Sequence, residues 1–595
     1  ELTRVDTNGT PVTVKYKALV KEVVPTSTNA TSTGPQGVPQ TGTPTFQGGD
    51  PLVPIDDTVE PTFEDGSKEK SIPGQGTYTI APDGVVTFTP EKDFVGTATG
   101  VKVQATATIT NEDGKTTTIT SDASYTPTVV AAVPTAKPAT SKDIQGATQT
   151  GTPTFEGATV QVNGQDKAIT IKDNSYTLLD KDGNEVATTP AYAEDGTTEI
   201  GTYSIDPATG QVTFTPTDKS YTGKVTPVKV QAESSNGIKV DTTYTPEIVP
   251  VTPTATPAET TDIQGATQTG KPEFKGGTVT VDGVEKTVEI NEDVPATFDD
   301  GSTTKTVEGV GTYTVAADGT VTFVPEPNFT GTAPAVTVVR EDKNGTKASA
   351  TYTPTVNPVT LTPTNKVSED IQNIPQTETP TFALSDDETA QITSKKLIDP
   401  ATGQPTDETT VTVAGEGSYT IDPTTGAVTF TPEKDFVGTA KGVTVQATAT
   451  ITNANGKTAT ITSDATYTPT VVAAVPTAQP ATSKDVQGAT QTGTPTFAGT
   501  TVQVNGEDKA ITIKDNSYTL LDNDGNEVTS TPAYAADGTT EIGTYSIDSA
   551  TGQVTFTPTD KSYTGVVTPA KVQAESSNGI KVDTTYTPEI VPVTP

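Results

Sequence analysis

In GTYSIDPATGQVTFTP, residues 201–216, apolar and polar side chains alternate: Tyr203 and Ile205 fall on one side of an extended chain, Thr202 and Ser204 on the other. Beyond the DPATG turn, Val212 and Phe214 again share a side opposite Thr213 and Thr215. A period of two predicts a pair of strands, each with one buried and one solvated face. Val228, Val230 and Ala232 continue the alternation, and SSNGI follows them. Its Asn-Gly dipeptide, like those of DKNGT at 342 and NANGK at 453 and the Asp-Gly of NEDGK at 111, favours a tight hairpin turn. No stretch of helix length shows a 3.6-residue period. Threonine fills the outward positions, where a β-branched side chain suits a pleated surface and stays soluble.

The pattern recurs. DIQGATQTGTPTF at Asp143–Phe155 returns as DIQGATQTGKPEF from 262, DIQNIPQTETPTF from 370 and DVQGATQTGTPTF from 485, with a looser PQGVPQTGTPTF from Pro35. After each copy come, in order, G-[TS]-Y-[TS]-[IV], V-T-F-[TV]-P, [FY]-x-G and Y-T-P. These landmarks divide the chain into a part-repeat at 1–25 and whole repeats at 26–134, 135–253, 254–361, 362–476 and 477–595. The part-repeat TRVDTNGTPVTVKYKALVKEV matches a repeat's tail, as in VTVVREDKNGTKASATYTPTV from Val336. Residues 133–253 also reappear at 475–595 with twelve differences, an offset of 342, so blocks of three repeats have been copied whole. Segments such as TPTVVAAVPTAKPATSKD, rich in Pro and Thr, predict short stiff connectors. The expectation is all-β: a tandem array of small antiparallel β-sandwich repeats forming an elongated rod, on the order of 40 Å per repeat.

The succession PTAKPATSKDIQGATQTGTPTF, GTYSI, VTFTP, YTG and YTP resembles the CshA-type fibril repeat of streptococcal and related Gram-positive surface adhesins, across essentially the whole chain. That resemblance implies a secreted, cell-wall-anchored protein whose repeats form surface fibrils. The fibrils would project an adhesive region, absent here, toward host matrix and other microbes. The segment SYTLLDKDGNEVATTPAYAEDG in repeats 2 and 5 departs from the compact form of the repeat.

Composition narrows the functional classes. With 31% apolar residues and a net charge of −37, each core is small and the surface repels nucleic acid and anionic lipid. Zero cysteines rule out disulfides and zinc-thiolate sites. No apolar run approaches the roughly 20 residues that span a bilayer, and Glu1 opens no leader. The expected location is the bacterial cell surface, with export and anchoring signals outside this chain, no membrane contact within it, and neighbouring repeats as the partners.

Candidate chemistry is sparse. Without His or Cys, proton transfer falls to Asp, Glu, Lys, Tyr, Ser and Thr. The acid pair Glu194–Asp195 becomes Ala536–Asp537 in repeat 5 and reads as a solvated turn. Asp180, Asp182 and Asn184, with their copies Asp522, Asp524 and Asn526, alternate oxygen donors as a calcium loop does. Glu185 and Glu527, however, stand where such a loop needs glycine, so a hairpin tip is the better reading. An internal Lys-Asn crosslink would need a shared spacing that the repeats lack. Phe155, Tyr203, Phe214, Tyr221 and Tyr244 read as core rather than as a sugar platform. Tyr176 and Tyr192 stand out in the insertion. No catalysis and no cofactor are expected. The alternative to a stalk is a multivalent array that binds matrix protein or carbohydrate weakly. The recurrent opening phrase is expected to dock neighbouring repeats, with Phe46, Phe155, Phe274, Phe382 and Phe497 anchoring the passage from connector to sheet.

Overall fold

The computed structural model describes residues 1–594. By contacts the chain divides into two units, residues 1–255 with 274–294 and 340–348, and residues 256–273 with 295–339 and 349–595. The described residues form strands and turns, with no helix.

Repeat 2, inside the first unit, shows the plan. One sheet runs Gln149–Gly151, Val212–Pro216, Glu199–Ile205, Thr188–Tyr192, every neighbour antiparallel. The other runs Ala139–Ile144, Lys239–Val249, Val228–Glu233, Thr177–Leu179, Glu185–Val186. Between them Leu178, Ile200, Tyr203, Val212, Phe214, Val230 and Tyr244 make one buried cluster. Tyr203 lies 5.6 Å from Phe214 and meets Tyr244 edge-on at 6.1 Å. The predicted strand pair forms, with Tyr203 opposite Phe214 and Ile205 opposite Val212. Repeat 5 repeats this plan within the second unit, around Tyr545, Phe556 and Tyr586.

The sandwich departs from expectation in three ways. It is not purely antiparallel: Ala139–Ile144 runs parallel to the repeat's last strand, Lys239–Val249. Parallel neighbours need a long crossover, and here almost the whole repeat supplies it. The connectors, second, are not separate spacers. The Thr-Pro segments are themselves paired strands, as in Thr135–Lys137 against Thr154–Glu156 and Tyr125–Val130 against Ala30–Pro35. Third, of the five aromatics assigned to the core of repeat 2, Tyr203, Phe214 and Tyr244 are buried, whereas Phe155 and Tyr221 pack half-exposed against its rim.

The glycine-bearing tips form as expected, with each glycine N–H donating back across the turn: Gly114 to Asn111 O, Gly237 to Ser234 O, Gly345 to Asp342 O, Gly456 to Asn453 O. A further hairpin was not foreseen. Ala158–Val162 and Gln165–Ile169 fold over Asn163-Gly164, both at positive φ (53° and 77°), and the same ribbon forms at Gly277–Val288 and Thr501–Ala510. The signal was in the sequence: QVNGQ carries Asn-Gly beside alternating valines.

Candidate functional site: the joint between repeats

The places where one repeat meets the next are the candidate sites. Each is built around the first glutamine of the recurrent phrase, in D-I-Q-G at 143 and 262, D-I-Q-N at 370 and G-P-Q-G at 34. The parallel strand ends at the Asp-Ile pair, and the glutamine that follows turns back toward the neighbouring repeat. Gln145 is only 1% exposed, so its amide must find partners or cost stability. Its Nε2 donates to Ser220 O at 2.9 Å and to Thr346 Oγ1 at 2.7 Å, and its Oε1 accepts from Val251 N at 3.1 Å. Its main-chain carbonyl accepts from Asn344 Nδ2 at 2.7 Å. Ser220 and Val251 belong to repeat 2, Asn344 and Thr346 to the Asn-Gly tip of repeat 3. One residue therefore closes its own sandwich and holds the next.

The other junctions use the same residue. Gln36 donates to Lys92 O and receives Asn236, whose Nδ2 reaches both Gln36 O and Ala132 O at 2.9 Å. Gln264 donates to Pro327 O at 2.8 Å, and its carbonyl accepts from Thr389 Oγ1 at 2.7 Å, while Asn453 reaches Pro325 O at 2.8 Å. Asn578 bonds Gln372 O at 3.3 Å and Ala474 O at 2.9 Å. The residue after the glutamine is left-handed at each of these four junctions: Gly37, Gly146, Gly265 and Asn373 have φ of 74°, 78°, 86° and 66°. At Gly146 a Cβ would also lie 2.3 Å from Asn344 Oδ1, and at Gly37 2.4 Å from Asn236 O. The glycine is needed for the approach as well as the turn.

Charge and apolar contacts add to the amides. Lys286, on the unforeseen hairpin of repeat 3, pairs with Asp143 at 2.5 Å; Lys509 pairs with Asp370, and Asn505 N donates to Glu369 Oε2 at 2.6 Å. Lys457 pairs with Glu326 at 2.6 Å. Small apolar clusters sit beneath: Ile371, Ala474, Val504 and Ile511 at one junction, and Val359, Ala390 and Ile451 at another.

The second glutamine of the phrase faces inward. Gln149 accepts from Ser141 Oγ at 2.7 Å and donates to Glu247 O at 3.0 Å, and Ser141 Oγ also pairs with the Tyr244 hydroxyl at 2.6 Å. Burial pushes the Tyr244 phenol up from its ordinary value, and the Ser141 hydrogen bond partly offsets that. The same trio forms at Gln40, Gln376 and Gln491, and at Gln268 with Thr260 in place of the serine. The phrase thus spells one residue for the neighbour and one for the home core.

The candidate metal ligands hydrogen-bond within their own loops. Asp180 Oδ1 accepts from Asp182 N and Asn184 N at 2.9 and 2.8 Å, and Oδ2 from Asn184 Nδ2 at 3.0 Å. The Asn184 side-chain bond leads in holding this carboxyl below the usual range. Asp522 and Asn526 repeat the arrangement, with Asp524 N on Asp522 Oδ1 at 2.9 Å. In both loops the oxygens serve the turn. Asp195 likewise accepts from Thr198 and Thr197, which lower its pKa to about 2. Tyr176 packs against Phe155, the rings tilted at 55° with centres 5.6 Å apart.

The fold and its joints define a class: tandem β-sandwich repeats linked through a conserved-geometry end contact. The chain belongs to the family of the surface adhesin CshA repetitive domain, whose family model matches residues 22–129, 131–248, 250–356, 358–471 and 473–590. No curated protein matches the sequence. Among solved structures, the protocadherin γB4 extracellular domain is 12% identical, covering 95% of this chain and 83% of its own, with a TM-score of 0.25. Sidekick-1 immunoglobulin domains 1–5 are 10% identical over 96% of this chain and 100% of theirs, TM-score 0.20. The human desmocollin-1 ectodomain is 13% identical over 96% and 99%, TM-score 0.19. At these scores none of the three carries an argument about function. Among the described residues, no helix is long and apolar enough to cross a membrane.

Proposed function

We propose that the chain is a non-catalytic structural stalk of a bacterial surface fibril, a file of repeats that carries an adhesive region away from a cell wall to which the protein is anchored. The observation that carries this reading is the joint: at four successive junctions a glutamine of one repeat receives a hairpin tip or loop of the next. A protein that needed only many binding modules would be served by flexible linkers. A contact repeated at each of these junctions serves length and stiffness. The loops at Asp180–Asn184 and Asp522–Asn526 are turns in this reading, and the acidic surface keeps crowded stalks apart. Membership of a surface-adhesin repeat family supports the location.

Small-angle scattering of the 595-residue chain tests the proposal. Five repeats in file give a maximum dimension on the order of 200 Å at about 3.4 Å per strand residue. A compact particle, or the continuous spread of dimensions of a flexible string, would refute it.

A further inference from the structure

Repeats 2 and 5 differ at only twelve positions, yet one edge of their sandwiches differs in hydrogen bonding. In repeat 5 the short strand Gly565–Val566, following Tyr563, pairs antiparallel with the last strand, Gly565 opposite Ile590 and Val566 opposite Glu589. The same strap covers the same edge in repeats 1, 3 and 4, where Gly96, Gly331 and Gly438 stand opposite Val129, Val356 and Val471. There the next residue's N–H, at Ala98, Ala333 and Ala440, donates to the carbonyls of Pro127, Pro354 and Pro469. In all four the glycine has positive φ, between 104° and 128°.

In repeat 2 the strap forms no strand. Gly223 is not left-handed, and Lys224 instead reaches Glu194 at 3.4 Å across the loop. Both partners of that ion pair are missing from repeat 5, where Val566 and Ala536 replace them. The edge of Lys239–Val249 beyond Tyr244 is left without an antiparallel neighbour. Beside it lies a groove of about 920 Å³, walled by Glu194, Thr222, Lys224, Pro227, Thr245 and Ile248.

We propose that this groove is a strand-addition site, which takes an extended peptide of the Gly-Thr-Ala type from another chain, antiparallel to Pro246–Ile248. The chain itself shows the occupant: four times over, a Gly-Thr or Gly-Val pair after an aromatic residue fills the equivalent edge. Main-chain hydrogen bonds supply the affinity in such additions, and side-chain pockets select the sequence. Charges at the mouth are matched, Lys224 with Glu194 and Lys142 with Glu247 at 2.8 Å, so the site suits an uncharged strand. On this reading one repeat of the stalk carries a binding function that its near-copy lacks.

The test is a fluorescein-labelled peptide DFVGTATG, the sequence of residues 93–100, titrated against the full chain by fluorescence anisotropy. Expected are saturable one-to-one binding and a loss of at least tenfold in affinity, about 1.4 kcal/mol, in the Glu194→Ala, Lys224→Val double variant. Those substitutions introduce residues the protein already uses in repeat 5, so the fold is kept and the home strap closes the edge. A peptide N-methylated at the nitrogens of its first glycine and its alanine, the two that face the edge, should also fail to bind. Absence of binding to the unsubstituted chain at millimolar peptide would overturn the proposal. So would equal binding by the double variant, or equal binding of the N-methylated peptide.

Discussion

The interior of a repeat and the joint at its end are built from opposite materials. The interior of repeat 2 is rings and branched aliphatics, with Tyr203, Phe214 and Tyr244 all at 2% exposure or less. The joint beside it is amide chemistry, centred on Gln145 and Asn344. Apolar burial is non-directional, so the interior sets stability and tolerates changes of detail. Amide bonds are directional and modest in net energy, so the joint sets geometry. The difference predicts that the two can be damaged separately.

The largest separation comes from alkali. Among the described residues, the ten fully buried tyrosine rings belong to sandwich interiors and none to a joint. Burial raises the phenols of Tyr203, Tyr313 and Tyr545 above their ordinary value. Stability from a raised phenol is complete below the unfolded value, about 10, and is lost as pH rises through the folded one. Unfolding followed by circular dichroism should therefore set in above about pH 10. Stability flat to pH 12 would contradict the burial of the rings.

Phe214→Ala comes next. It should cost roughly 3 kcal/mol or more, read as an early unfolding transition of repeat 2 in denaturant. A single unshifted transition would remove Phe214 from the core. Gly146→Val acts on the joint instead: a left-handed β-branched residue costs about 1–2 kcal/mol, and the clash with Asn344 adds to it. Hydrogen exchange should quicken around 144–146 and 342–346 while 201–216 keeps its protection. Exchange that quickens equally in both regions would merge joint and interior. Ser141→Ala should cost about 1 kcal/mol, since Gln149 and Tyr244 both lose a partner. The smallest effect belongs to Lys286→Ala, whose half-exposed pair with Asp143 is worth under about 1 kcal/mol and fades with salt.

The same contrast explains what could be seen in the sequence. The interior was legible because burial on a strand imposes period two, which puts Tyr203 with Ile205 and Val212 with Phe214 on shared faces. That the opening phrase docks neighbours was also legible, from its place in the repeat. Which residue does so was not. Glutamine in a Thr-rich phrase carries no periodic signal, and its partners lie about 200 residues away. The parallel strand Ala139–Ile144 was hidden for a related reason, as polar side chains and a proline precede it and its pairing is non-local. The hairpin over Asn163-Gly164 carries the Asn-Gly signal, but its alternation is weak because its charged residues lie on one strand only. The strap of repeat 2 shows the limit of reading by repeats, since two surface substitutions accompany the change in an edge.

The central claim is that glutamine-centred joints fix one repeat against the next, and the absence of cysteine allows a direct measurement. Cysteines placed at exposed Lys102 in repeat 1 and Lys229 in repeat 2 take spin labels without competing thiols. Double electron–electron resonance should give one narrow distance distribution, which broadens when Gln36→Ala and Asn236→Ala remove the joint. A distribution already broad in the chain with an intact joint, or one unchanged by its loss, would contradict the account.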